Sequence, residues 1–393
     1  MLPGPMDAPS DPAPARRAEG AVSPAARTLA LLRRHGWNAT GFQVLEPGFR
    51  YWFDGDDACV AYVDTGGAWV VAGAPIAPAA RLAEVAAAFA AAAHAAGRRT
   101  AWFGTERRFG DATGWPALQV GEQPVWAPAA WPAVLRGSRS LREQLRRARA
   151  KGVAVRALTA AELADGHPMR AQLDRLIAAW QATRAIAPMT FLVQIELGSF
   201  AAERRCFVAE RAGAVVGVLG VVPIYARDGW FFEDFVRAPD APNGTVELLV
   251  DAGMRAAADA GITLITLGLA PLAGDVGRWL RRARRLGGPL YDFDGLRAFK
   301  AKFKPARWDP IYVAYPPAGH PIAAIYDSLA AFAGGGLVRF GLATLRRARG
   351  LVAAALAVIA VAVTALIAPP AVASATLVST LAAALVWRPA DPR

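Results

Sequence analysis

Residues 229–272 read GWFFEDFVRAPDAPNGTVELLVDAGMRAAADAGITLITLGLAPL, and the fold follows from the order of signals inside them. Trp230–Val236 is an aromatic-rich run with the composition of a buried strand. Two prolines and Gly244 then interrupt the chain, and Thr245–Ala260 spaces its apolar residues as a helix does, with Asn243 and Thr245 reading as its cap. Gly261 ends that helix, Thr263–Gly268 is a crossover strand, and Gly268 closes it.

Upstream, the strand-like runs Cys206–Glu210 and Val215–Ile224 make a meander with Trp230–Val236. The same plan is written earlier in the chain. Phe49–Phe53, Ala58–Asp64 and Ala68–Gly73 precede an Ala-rich helix, Ala79–Ala96, then Gly97 and a strand Thr100–Gly104. A meander followed by a helix and a crossover strand makes an α+β sheet with helices on its faces. A chain of 393 residues is long enough for two such units, each with a core of its own.

Four words within this region, DFVR (234–237), APNG (241–244), LGLAPL (267–272) and GLRAFKAKFKP (295–305), keep an order and spacing similar to those of the synthase (C-terminal) domain of bacterial lysylphosphatidylglycerol synthases, over roughly residues 139–317. That phosphatidylglycerol lysyltransferase family moves an aminoacyl group from a charged tRNA onto a membrane lipid. The resemblance implies an α+β fold of tandem N-acetyltransferase-like (GNAT-like) domains. It also implies an aminoacyl-tRNA donor, phosphatidylglycerol as acceptor, no cofactor, and action at the cytoplasmic face of the bacterial inner membrane. The boundaries expected are a disordered tail at 1–27, a first domain at 28–137, a basic connecting helix at 138–152 and a second, catalytic domain at 153–318. A linker with an interfacial helix at 319–350 and a transmembrane helical hairpin at 351–388 complete the chain. The first half matches the family's words poorly and is expected to be scaffold. The large flippase region that usual members carry is not represented in this sequence, so lipid flipping is not expected of it.

Glu233 and Asp234 interrupt the aromatic strand, and a carboxylate there is costly unless it is paired or working. Adjacent strand residues point to opposite faces, so only one of the two is expected to enter a given cleft. The resemblance at DFVR assigns the catalytic acid to Asp234, with Glu233 as second choice and a structural ion pair with a neighbouring arginine as the competing reading. In GLRAFKAKFKP, a helix capped by Asp294 would set Arg297, Lys300 and Lys304 on one face and bury Phe299 and Phe303, with Lys302 solvated off that face. The resemblance makes Arg297 and Lys300 substrate-binding residues, with Lys304 beside them. At 180–191, WQATRAIAPMTF keeps the family's tryptophan and MxF ending, while Ala, Ile and Pro replace most of the charged residues that meet a lysyl group in close relatives. Arg184 remains, and the amino acid is left open between lysine, alanine and others.

Ester-to-hydroxyl transfer needs a base, oxyanion donors and positioning of two phosphate-bearing substrates. No GxSxG elbow or Ser-His-Asp order occurs, which favours direct transfer. In RAPDAPNGT (237–245) two prolines remove the N–H donors that would grip a coenzyme A pyrophosphate, so that donor is disfavoured. An N-acyltransferase using acyl carrier protein or acyl-CoA is the competing activity. A non-catalytic module binding tRNA or anionic lipid is the third reading.

The net charge of +12 favours a polyanionic partner. In SRSLREQLRRARAK (138–151), Ser140 and Glu143 read as a capping box, and Arg139, Arg142, Arg146 and Arg149 line one side of the helix. A second helix, Val276–Leu286, aligns Arg278, Arg281, Arg282 and Arg285. Guanidinium forks suit phosphate, which makes both stripes tRNA-binding candidates against the plainer reading of a solvated face.

Cys59 and Cys206 lie far apart and the four histidines are scattered, so neither a disulfide framework nor a metal site is expected. Residues 351–387 carry no charge and divide at Pro369-Pro370 into two runs. About 18 residues at about 1.5 Å each span a hydrocarbon core of about 27 Å. Arg339, Arg346, Arg347 and Arg349 before the pair, with Arg388 and Arg393 after it, place both flanks in the cytoplasm. A hairpin buried in a core or a dimer interface is the competing reading. Gly334–Gly336 reads as a joint before an interfacial helix, Leu337–Arg349.

Overall fold

The computed structural model describes residues 22–184, 186–288 and 291–347; most of the expected tail and the whole expected hairpin lie outside them. Helix α1 (Pro24–His35) starts inside the segment expected as tail, with Ser23 Oγ accepting from the Ala26 amide at 3.2 Å and a proline in its first turn.

The first half runs β1 (Arg50–Asp54), β2 (Ala58–Asp64) and β3 (Ala68–Ala72) as an antiparallel meander, then α2 (Leu82–Ala95) and β4 (Arg99–Thr105), which lies parallel to β3. Helix α3 (Arg107–Thr113), β5 (Ala117–Trp126), α4 (Trp131–Gly137) and α5 (Arg139–Ala150) lead on to the second half. There β6 (Val153–Ala157), α6 (Pro168–Ala182), β7 (Arg205–Arg211), β8 (Ala214–Ile224) and β9 (Gly229–Arg237) precede α7 (Thr245–Asp259) and β10 (Leu264–Thr266), which is parallel to β9. The chain continues through β11 (Ala270–Pro271), α8 (Arg278–Gly287), α9 (Phe293–Ala301), β12 (Arg307–Ala314), α10 (Pro321–Phe332) and α11 (Leu337–Arg347).

The expected plan therefore occurs twice, and it is α+β. Alternate residues of β2 explain the layering: Val60 and Tyr62 pack under α2 with Phe89, while Cys59 and Ala61 pack on the other face with Leu31 and Leu32 of α1. In the second half Leu219 and Phe232 meet α7 through Leu249 and Met254, whereas Val208 and Val218 meet α6 through Leu173 and Leu176.

The halves share one twelve-stranded sheet, and their last long strands are exchanged. From the first half, β5 pairs with β10 (Trp126 opposite Ile265); from the second, β12 returns to lie between β4 and β5 (Ala314 opposite Trp102, Pro310 opposite Glu122).

Three local expectations are corrected. Helix α5 is capped by Ser138, whose Oγ accepts from Leu141 N–H, not by Ser140; Glu143 instead receives Arg146 and Arg147. Helix α9 is capped by Asp292 rather than Asp294 and ends at Ala301, so Lys304 stands outside it in a left-handed conformation (φ 53°). The N-cap of α7 is Gly244 at φ 97°, and the Thr245 hydroxyl donates to the Pro242 carbonyl at 2.7 Å. A Cβ at 244 would come within 2.2 Å of the Gln144 carbonyl oxygen, because α5 crosses directly over the start of α7.

Candidate active site

Opposite β8, strand β9 carries one residue too many. Val221 faces Phe232 and Gly220 faces Asp234, leaving Glu233 as the extra residue of a β-bulge. The bulge undoes simple alternation, and Glu233 and Asp234 both line the same cavity, contrary to the expectation that only one could. Gly220 makes the room, since a Cβ there would lie 3.2 Å from Asp234 Oδ2.

The cavity, about 990 Å³, sits where the two halves meet. Gln43, Gly104, Glu106 and Gln123 of the first half line it together with Glu233, Asp234 and Lys300 of the second. The first half is thus part of the site and more than scaffold.

Behind Glu233 lies Arg204, which no sequence signal had singled out. Its guanidinium donates to Glu233 Oε2 at 2.8 Å, to Glu46 Oε1 at 3.3 Å and, through Nε, to the Ser199 carbonyl at 3.0 Å. All three ionic side chains are sealed from solvent. The ion pair weighed for the strand acids therefore belongs to Glu233. Asp234 is also buried, and its Oδ2 has no hydrogen-bond partner among the described residues.

Three carboxyls around one guanidinium cannot all stay ionised cheaply. Burial, with the Glu233 charge behind it, pushes Glu46 up to about 9. As a neutral acid at pH 7, Glu46 has a proton to donate. Burial also raises Glu233, against the pull of Arg204. Asp234 is raised well above the ordinary carboxylate range by burial first and then by the Glu233 charge, with Arg204 opposing. Arg204 and Glu233 neutralise each other, and Asp234 is left on the cavity wall as a buried carboxyl that holds a proton more tightly than usual. In its ionised form a carboxyl so placed is a stronger base than usual, able to take a proton from a bound hydroxyl or hold a bound ammonium.

Lys300 is on the wall, but its ammonium donates to the carbonyls of Leu267, Gly268 and Leu269 at 2.7, 2.8 and 2.8 Å. All three of its N–H bonds are spent on the LGL word, which corrects its expected part as a phosphate clamp. Burial pulls it down to about 7, and the three carbonyls hold the proton on. Arg297 lies off the lining, donating from Nε to Glu122 Oε1 at 2.8 Å with its guanidinium 4.7 Å from the Trp308 ring. Lys304 is exposed and also off the lining. Lys302, expected to be solvated, donates to Glu247 Oε1 at 2.8 Å. Arg184 is on the wall, 4.3 Å over the Trp180 ring.

On α5 the four arginines are exposed opposite the buried Leu141, Leu145 and Ala148. Arg142 is tied to the Leu135 and Arg136 carbonyls and Arg149 to Asp251 at 3.0 Å, while Arg146 meets only Glu143 and Arg139 projects outward. On α8, Arg278, Arg281, Arg282 and Arg285 are exposed as expected, and Arg281 also reaches the Val276 carbonyl at 2.6 Å. No cluster of potential metal ligands occurs among the described residues.

The sequence reading missed Glu46 and Arg204. Glu46 is the only acidic or basic residue between His35 and Arg50, an isolation that was a usable signal.

Residues 29–315 match the family model described as phosphatidylglycerol lysyltransferase, C-terminal. The chain is 27% identical over 231 residues to the lysylphosphatidylglycerol biosynthesis bifunctional protein LysX of Mycobacterium sp. (strain JLS), covering 52% of this chain and 20% of that protein. It is 34% identical over 119 residues to the phosphatidylglycerol lysyltransferase of Bacillus subtilis (strain 168), covering 28% and 14%. The chain thus spans about a fifth or less of the length of these curated relatives. Its fold is shared with the crystal structure of the C-terminal domain of an Agrobacterium fabrum protein described as a lysylphosphatidylglycerol synthetase, with a TM-score of 0.68 at 22% identity over 79% of this chain and 98% of that one.

Proposed function

The chain belongs to the phosphatidylglycerol lysyltransferase C-terminal family, and on that premise we propose that it moves an aminoacyl group from aminoacyl-tRNA to phosphatidylglycerol at the cytoplasmic face of the inner membrane. The observation that carries this reading is the buried Asp234 carboxyl, set by the bulge on the wall of a cavity of about 990 Å³ that both halves line.

Asp234 takes the proton of the attacking lipid hydroxyl as its oxygen bonds to the ester carbonyl carbon. When that carbon–oxygen ester bond breaks, the departing tRNA ribose hydroxyl recovers the proton from Asp234. The buried Glu46–Arg204–Glu233 group fixes the strand behind Asp234 and keeps its acceptor strength high. The exposed arginines of α5 and α8 offer the tRNA backbone its phosphate contacts.

An acyl-CoA donor fits less well, because the place over the start of α7, where a pyrophosphate would sit, is filled by the backbone of α5 at Gln144.

The test is expression in a host that lacks aminoacylated lipids, followed by mass spectrometry of the lipid extract. A new ninhydrin-positive phospholipid is expected, and in vitro its formation should stop when the donor tRNA is digested with ribonuclease. A lipoamino acid would favour the acyltransferase reading, and no new species would favour a binding module.

A further inference from the structure

We propose that α10 and α11 form a docking surface for an anionic lipid bilayer and hold the cavity wall against it. Both helices lie beyond residue 315, where the family match ends. Four of the seven exposed large apolar side chains among the described residues are here: Ile322 and Leu329 on α10, Val338 and Leu342 on α11. Spacings of seven and of four put each pair on one side of its helix. The helices turn by 54° at the glycine joint, and no single described helix is long and apolar enough to cross a membrane.

Charge selects the partner. Between Pro321 and Arg347 the only acidic residue is Asp327, which is buried and receives Arg99 at 2.6 and 3.0 Å. Arg339 and Arg346 are exposed beside the apolar pair of α11. Apolar side chains flanked by uncompensated arginines suit the boundary between acyl chains and anionic headgroups.

The inward sides of the same helices hold the cavity. The buried Thr344 hydroxyl accepts from the Ala187 amide at 3.2 Å, and Thr190 is held by the Phe332 carbonyl at 3.1 Å and the Ala331 carbonyl at 3.3 Å. Ala187, Thr190 and Phe332 all line the cavity. A bilayer on the outer face would then lie about one helix diameter, ~10 Å, from the cavity wall. Only the purpose of this arrangement, access for a lipid acceptor, rests on the proposed transfer reaction; docking is measured without turnover.

The experiment uses the full chain with an environment-sensitive fluorophore on Leu342→Cys or Leu329→Cys, and on Ala260→Cys at the end of α7 as control. Cys59 and Cys206 are buried and escape labelling. With equimolar phosphatidylcholine–phosphatidylglycerol vesicles, labels at 342 and 329 should shift to the blue and be quenched by spin-labelled lipid, while the label at 260 does neither. Arg339→Gln with Arg346→Gln should raise the lipid concentration needed for the half-maximal shift. Labels that remain water-exposed on vesicle-bound protein would overturn the proposal. So would labels already shielded before vesicles are added, which would mean cover by residues 351–387 or a second copy, and so would an equal response to pure phosphatidylcholine. Unchanged melting of the labelled proteins excludes misfolding as the cause of any outcome.

Discussion

Asp234 and Glu46 are kept in the fold at an electrostatic cost, and the direction of that cost is testable. A carboxyl whose folded value lies above its unfolded one favours folding most at low pH, where both states are protonated, and loses that contribution as pH rises through the gap. For Glu46 the gap runs from the ordinary carboxylate range to about 9. Stability in urea should therefore fall between about pH 5 and about pH 9, and Glu46→Gln, which keeps an oxygen for Arg204, should flatten that fall. A wild-type curve already flat across this range would refute the assignment. Arg204→Met leaves two buried acids without their cation and should cost about 3–5 kcal/mol at neutral pH. Asp234→Asn should abolish lipid product while the protein melts no lower than wild type, because the residue makes no bond through Oδ2 that folding would miss. Arg297→Ala should lose about 1 kcal/mol or less and retain turnover, since its pair with Glu122 is half-exposed and off the cavity. Loss of turnover in folded Arg297→Ala would return this residue to the site.

Single elements were legible where burial alone defined them. The strand Ala58–Asp64 was read to the residue and Trp230–Val236 to within one at each end, because an apolar run between turn residues has few other places to go. Caps were read two residues late at α5 and α9. Ser138 and Ser140, like Asp292 and Asp294, have the same capping chemistry, so residue type alone does not choose between them. The bulge at Glu233 was not readable, since it depends on Gly220 in the neighbouring strand. On α5 the arginine stripe was legible as exposure and illegible as bonding. Arg139→Gln with Arg146→Gln should lower the slope of log tRNA affinity against log salt by about 0.7–0.9 per lost phosphate contact and leave the melting temperature unchanged. Arg149→Gln should instead cost about 1 kcal/mol, because it strips one partner from the buried Asp251. An unchanged salt slope in the double variant would mark this face as merely solvated.

At the scale of the molecule, the repeated order of elements was visible in the sequence, but the partners of β5 and β12 were not, because pairing across about 140 to 210 residues leaves no local pattern. The exchange makes the two halves dependent on each other in both stability and function. Cut from its partner, residues 28–137 would leave β5 with no neighbour and β4 with one bare edge, while residues 153–318 would leave β12 with no neighbour and β10 with one. Bare strand edges invite aggregation. The cavity would also be divided, since Gln43 and Glu106 would leave with one piece and Asp234 with the other. The whole chain should consequently unfold in a single transition, with matching midpoints by circular dichroism and tryptophan fluorescence. Made separately as residues 1–152 and 153–393, which keep α5 and α10–α11, the two pieces should lack a cooperative melt; made together, they should co-purify and regain both the melt and lipid product. A piece spanning 153–393 that melts cooperatively and transfers the aminoacyl group by itself would show that the exchanged strands are dispensable, and that the first half is scaffold after all.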